Sequence, residues 1–294
     1  MKKLALSTLL ASLLLGGSLY ANTAIKSVKE VNKGAVNKGT QNALASQKKL
    51  IVEAVNSLEY TNKALIALSK NDKDGAQKKI EKALGKLEVI LAAKNAPKLL
   101  PIDSQVTMTE FIGSKKDVEM TVGTVEELLD HHKVQVARNL LNTLQSEIDV
   151  TVVNLPLATY PDALKLAAKY IHENKIDEAK NVLQLALSTF EKTTTVIPLP
   201  LLKATDLINV SASLSKNGKK EDALKYLAAA EDQLDVAEAL GYVSHSSNTY
   251  KSLHEVIKHV RKEIKGENKA EKLFDELKTK LKDFKDKVFS EKSK

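Results

Sequence analysis

Apolar positions recur at helical spacing in four places along the chain. When Ala76, Ala137, Ala179 and Ala223 are aligned, Ile80, Leu141, Leu183 and Leu227 stand four residues on, Ala83, Leu144, Ala186 and Ala230 seven on, and Leu87, Ile148, Phe190 and Leu234 eleven on. Steps of four, three and four keep one stripe on one helical face, so the pattern predicts four diverged copies of a single helix. A turn signal precedes each alanine: Asn71 to Gly75, His131 to Lys133, Glu173 to Lys175, and Asn217 to Lys220. Ahead of each turn lies a further apolar stretch, Ala64 to Leu68, Val125 to Leu129, Ala163 to Ile171 and Leu207 to Leu214. The predicted unit is a helical hairpin. The alanines lie 61, 42 and 44 residues apart, too irregular for a solenoid of ~34-residue units, and a compact bundle of hairpins is expected in place of an open superhelix.

Between the hairpins the pattern changes. All six prolines fall in three places, Pro97 and Pro101, Pro156 and Pro161, Pro198 and Pro200. Each sits beside a β-branched or apolar run: Leu99 to Val106, Val150 to Leu157, and Thr193 to Leu199. Proline ends helices and β-branched residues favour extended backbone, so these runs read as short strands packed on helices. The run Leu99 to Val122 is the least helical part of the chain. Residues 22–39 are rich in Asn, Lys and Gly, and a mobile lead-in is expected there, with the first helix beginning near Thr40. At the far end Leu273, Leu277, Leu281, Phe284 and Val288 fall on one face of a lysine-rich helix from Lys269 to Phe289. That amphipathic helix calls for a partner, and packing within the chain or against a subunit is preferred over an anionic membrane, because Asp275, Glu276, Asp283 and Asp286 offset much of its lysine charge.

Composition narrows the function classes. Lys2 and Lys3 precede an apolar run from Leu4 to Gly17, and a small residue, Ala21, closes the segment. Charge, short apolar core and small cut site describe a secretory signal peptide, so export to the periplasm is expected, or secretion if the source has no outer membrane. The chain has no cysteine, which excludes disulfides, thiol catalysis and cysteine-ligated metal centres. Its formal charge of +8 suggests nucleic acid until the charge is located. From Lys251 onward fourteen Lys or Arg stand against nine Asp or Glu, and Lys2 and Lys3 belong to the leader, so the rest is nearly neutral. With aromatics at only 4%, neither a basic stripe nor stacking platforms for nucleic acid exist.

Candidate chemistry is sparse. His254 and His259 resemble a metalloprotease pair, but a spacing of five turns the second imidazole ~140° away from the first. Two exposed histidines on a basic helix are the preferred reading. His131 and His132 fall in a hairpin turn and His172 beside Glu173 near another, where solvated side chains are expected. No nucleophile elbow, phosphate loop or dinucleotide fingerprint occurs. The carboxylates Glu221, Asp222, Glu231 and Asp232 read as helix surface charge. The polar run Ser244 to Asn248, with Thr249 and Tyr250, reads as a flexible joint between body and tail. No catalytic, cofactor-binding or metal-ligating residue is assigned, and no cofactor is expected.

The order of elements, with Leu100-Pro101-Ile102-Asp103 after the first hairpin, Val152-Val153-Asn154-Leu155-Pro156-Leu157 after the second, and the Ala-rich repeat helices, resembles the YfdX family of bacterial periplasmic proteins over Ala43 to Val243. The resemblance implies a nearly all-helical periplasmic protein, associated at family level with acid and drug stress and without an established catalytic activity or defined functional residues. Two departures stand out: the lysine-rich segment after Lys251, which looks like an addition, and Leu100 where a Tyr would precede Pro101.

The expected organisation is a signal peptide at 1–21, a flexible lead-in at 22–39, a helical domain at 40–250 and a helical tail at 251–294. The expected fold class is mainly α, a bundle of helical hairpins with a small extended or β element and a C-terminal amphipathic helix. The expected function is non-enzymatic binding in the periplasm, of peptides, unfolded proteins or apolar small molecules, in the response to envelope, acid or drug stress. A structural or oligomerising envelope protein is the alternative, and an enzyme of unrecognised type comes third. Nucleic acid is not expected as a partner; a homo-oligomer and contact of the tail with a membrane surface are both compatible with the sequence.

Overall fold

The computed structural model describes residues 25–45, 51–244, 248–267 and 269–291. The signal-peptide segment, and residues 245–247 of the expected joint, lie outside the described residues. The fold is mainly α with one small antiparallel sheet, in line with the class read from the sequence. No helix among the described residues is long and apolar enough to cross a membrane.

All four predicted hairpins are present. They are α2 (Val52–Ser69) with α3 (Lys73–Leu91), α4 (Lys115–Asp130) with α5 (Val134–Leu141), α6 (Tyr160–His172) with α7 (Ile176–Ala186), and α8 (Leu199–Lys216) with α9 (Lys220–Ala239). Their turns share one geometry. The fifth residue before each repeat alanine has a positive φ: Asn71 (60°), His132 (57°), Asn174 (62°) and Gly218 (73°). The next N–H donates back to the carbonyl five residues earlier, Asp72 to Ala67, Lys133 to Leu128, Lys175 to Tyr170 and Lys219 to Leu214. This bond closes a Schellman motif and satisfies a carbonyl that the helix end leaves open. All four repeat alanines are buried.

The second copy departs from the aligned stripe. Helix α5 stops at Leu141, a 3-10 turn covers Asn142–Leu144, and Ile148 lies in a strand. In the third copy α7 ends at Ala186, and Phe190 packs against the core from beyond the helix.

The three extended runs form strands β1 (Leu99–Thr109), β2 (Glu147–Pro156) and β3 (Glu191–Pro198), paired antiparallel in that spatial order. Proline lacks a ladder donor, and its placement follows from that: Pro101 sits in edge strand β1, where the register shifts before Asp103, while Pro156 and Pro198 end their strands. In central strand β2, buried Asn154 donates through Nδ2 to the Glu191 carbonyl at 3.2 Å, and Thr151 Oγ1 meets Thr194 Oγ1 at 3.1 Å.

Two large cores result. One joins α2, α3, α6 and α7 around Leu68, Ile80, Leu87, Leu164 and Leu183, with Leu100 and Leu155 from the sheet. The other joins α8 and α9 to α10 (Asn248–Lys265) and α11 (Glu271–Glu291), around Leu207, Leu227, Leu253, Ile257, Leu277 and Leu281.

Three expectations need correction. The stretch expected to be a mobile lead-in is helical from Val28: α1 (Val28–Ala45) buries Val31, Ala35, Val36, Gly39 and Ala43 along α8. Its start is fixed where Ser27 Oγ accepts the Glu30 N–H at 3.3 Å and Glu30 accepts the Ser27 N–H at 2.7 Å, a capping box. Gly39 faces α8 so closely that a Cβ there would overlap Leu202. Helix α4 begins ten residues before Val125, at a second capping box formed by Ser114 and Asp117, in the run read as least helical. Finally, the tail is not separate from the body: it is a helical hairpin whose stripe residues Leu277, Leu281 and Phe284 are buried with α8 and α9 in one core, which is the packing within the chain that was preferred for it.

Candidate functional site

An apolar cavity of about 760 Å³ opens where α1 crosses the ends of β1, α8 and α9. Helical spacing builds its α1 wall: Val28, Asn32 and Val36 are four apart on one line, and Lys29, Lys33 and Asn37 form the next line at its mouth. The chain leaving β1 contributes Met108, Phe111 and Ile112, while Pro200 of α8 and Val236 of α9 close the floor. A volume of this size is that of a small-molecule site.

Its polar groups are few and specific. Lys203, a buried lysine of α8, places Nζ 2.7 Å from Glu110 Oε1. Ser146 is buried at the start of β2. Its N–H donates to the Tyr242 hydroxyl at 2.8 Å and its carbonyl accepts the Leu199 N–H at 2.8 Å. These bonds hold the backbone while Ser146 Oγ, in the cavity wall, has no hydrogen-bond partner; the same is true of Asn32 Oδ1. Two unsatisfied polar atoms in an apolar wall are where a ligand's polar group gains most. Lys29, Lys33 and Lys203 against Glu110 make the lining positive. Burial pushes the Tyr242 phenol upward, so it remains a neutral hydroxyl.

A second polar cluster lies between α9 and α10. His254 sits with Nδ1 3.6 Å from Glu231 Oε1 and Nε2 3.6 Å from Asp235 Oδ1. Tyr250, buried in the first turn of α10, donates to Asp235 Oδ1 at 3.0 Å and packs its ring 4.5 Å from the imidazole. Arg261 donates to Glu231. The imidazole beside Glu231 and the Arg261 guanidinium hold that carboxyl below its usual range, against the opposing effect of burial. Each member is engaged by another, and the arrangement fastens α10 to α9.

This cluster corrects three readings from sequence. His254 is not an exposed histidine, and Glu231 is not surface charge; both are half-buried in a helix interface. Tyr250 belongs to a helix and not to a joint. His131, His132, His172 and His259 are exposed. Among the described residues no three His, Asp or Glu side chains are placed to hold a metal ion. The cavity itself was not read from sequence, because its walls come from segments as far apart as Val28 and Val236. The two capping boxes, at Ser27 and Ser114, were the signals that could have located α1 and the approach to α4.

No curated protein matches the chain. Among solved structures, one of Salmonella Typhi YfdX is similar at 13% identity with a TM-score of 0.35, covering 50% of this chain and 91% of that one. Residues 57–196 match the model of the YfdX protein family, a narrower span than Ala43 to Val243. It contains α3 to α7 and the sheet, with most of α2, so the cavity straddles its edge, with Met108 to Gly113 and Ser146 inside and α1, Lys203 and Val236 outside. Residues 57–196, just under half of the chain, are thus the segment similar to the YfdX protein family.

Proposed function

We propose that the protein is a non-enzymatic periplasmic binding protein, acting in the response to envelope, acid or drug stress, whose ligand is a small apolar molecule carrying a negative charge. The observation that carries this reading is the cavity between α1, β1, α8 and α9: apolar walls, a buried lysine, and two buried polar atoms without partners. The lysines Lys29, Lys33 and Lys203 favour an anionic group, and Ser146 Oγ is free to donate to it. Periplasmic location rests on the signal-like N-terminus, and the link to stress on the family resemblance. Absence of catalysis rests on the engagement, in helix docking, of the His254 cluster with its carboxylates.

The test is titration of the exported protein with decanoate and with anilinonaphthalene sulfonate, followed by fluorescence and melting temperature. Saturable binding at one site that raises the melting temperature is expected. Met108→Trp, which fills the cavity from an exposed position, should weaken it about tenfold or more, and Lys203→Met should weaken the anionic probes but not decanol. Non-saturable binding, or binding indifferent to Met108→Trp, would remove the support for this reading.

A further inference from the structure

The hairpins of this chain pair with one another by a rule, and one is left over. The α2–α3 hairpin lies against α6–α7, with α3 on α6 and α2 on α7. The α8–α9 hairpin lies against α10–α11, with α9 on α10 and α8 on α11. In both pairs the first helix of one hairpin meets the second helix of the other, an approximate two-fold relation. The tips lie side by side: Lys73 at the first turn reaches Asn174 Oδ1 at the third, and Lys220 at the fourth reaches the Gly266 carbonyl at 2.7 Å. The α4–α5 hairpin has no such partner among the described residues. It touches α9 near its base, where Lys115 forms a 2.8 Å ion pair with Glu238.

The consequence shows at equivalent positions. Eight residues before each repeat alanine stand Leu68, Leu129, Ile171 and Ser215, and four after stand Ile80, Leu141, Leu183 and Leu227. In the three paired hairpins these six residues are at most 7% exposed. In α4–α5, Leu129 is 44% and Leu141 45% exposed, with Val134 and Val136 open beside them. The charges of this hairpin are also divided. The last turns of α4 carry Glu126, Glu127 and Asp130 without a basic residue, while α5 and its N-cap carry Lys133 and Arg138 without an acidic one.

We propose that this hairpin docks on the α4–α5 hairpin of a second copy of the chain, about a two-fold axis. Each α4 then lies on the other copy's α5, as α2 lies on α7 and α8 on α11. That arrangement buries Leu129 and Leu141 as their counterparts are buried, and sets the acidic end of one α4 against the basic α5 of the other copy. A self-complementary surface is what a two-fold homodimer requires, and apolar contacts flanked by charge are its ordinary make-up.

Sedimentation of the exported full chain over a micromolar concentration series tests this. A species of twice the chain mass is expected. Leu129→Glu with Leu141→Glu should give a monomer whose melting temperature, read where the wild type is also dissociated, is unchanged, since both side chains are exposed within one chain. Because the chain has no cysteine, Leu141→Cys gives a unique thiol, and a short bismaleimide should join two chains through it but not through Ile66→Cys, an exposed site on α2. A wild type that stays monomeric, a dimer that survives the double substitution, or equal cross-linking through Ile66→Cys would each overturn the proposal.

Discussion

The Tyr242 hydroxyl accepts the Ser146 N–H at 2.8 Å across 96 residues of sequence. It ties the segment after α9 to the residue that opens β2 and lines the cavity. Both partners are buried. Tyr242→Phe removes the acceptor and leaves a buried N–H unpaired, which is expected to cost about 1–3 kcal/mol. Urea denaturation measures this, and a loss under a few tenths of a kcal/mol would mean that another group takes over the bond.

His132 holds φ at 57°, where its counterparts are Asn71, Asn174 and Gly218. A Cβ strains this backbone by ~1 kcal/mol, less where a short Asn or Asp side chain can bond locally, and glycine, without a Cβ, avoids the strain. His132→Gly is therefore expected to raise the denaturation midpoint, and Gly218→Ala to lower stability by about 1 kcal/mol. Equal and opposite changes at equivalent turns would confirm that the two sites are one motif.

Lys203 and Glu110 are unequal partners. Glu110→Gln leaves the buried ammonium unpaired, whereas Lys203→Met leaves a carboxylate that is a third exposed. Glu110→Gln should cost about 2 kcal/mol and Lys203→Met clearly less, the partial exposure keeping both below the loss seen for dry pairs. The double substitution should recover part of the first loss; a purely additive result would mean that the two groups do not interact.

Glu231 supplies a pH dependence of known sign. Its carboxyl is held below the ordinary value of 4.5 by His254 and Arg261, so folding favours its ionised form. That stability is present above the unfolded value and is lost as pH falls through the lower folded one. The difference in unfolding free energy between the wild type and Glu231→Gln should be present at neutral pH and close below about pH 4.5. Asp232, whose carboxyl is pushed upward by burial and by the neighbouring Asp235 and Glu231 charges, acts with the opposite sign, and Glu231→Gln relieves the part of that push that Glu231 exerts. A difference that persists at low pH would mean that Glu231 contributes through packing alone.

The hairpins were legible because a small residue at a helix seam and a turn five residues before it leave a periodic trace. Ala76 and Ala223 carry that trace over full helices, and Ala179 carries it as far as Ala186. At Ala137 it misleads, since Leu144 and Ile148 continue the spacing by coincidence after the helix has ended. The strands were legible from proline next to β-branched runs. Helix α1 was hidden because its buried face is made of Val, Ala and Gly among Asn and Lys, and only its cap at Ser27 betrays it. The cavity and the His254 cluster were not legible at all. Val28 and Val236 come to line one cavity, and Glu231 meets Arg261, only through packing between helices, which no local spacing encodes. Tyr250 looked like part of a polar joint because the residues just before it are polar, although its ring is buried.

Strand β2 reaches across the molecule. Near one end Leu155 is buried with Leu100 and Leu164 in the core of the family segment. Near the other, Ile148 is buried against Val36 and Ala43 of α1 and Leu199 of α8, and Ser146 stands in the cavity wall just before the strand begins. A strand hydrogen-bonded on both sides does not stretch, so it behaves as a girder. A molecule held in the cavity, as proposed, would load the near end of that girder, while the far end is bolted into the hairpins α2–α3 and α6–α7.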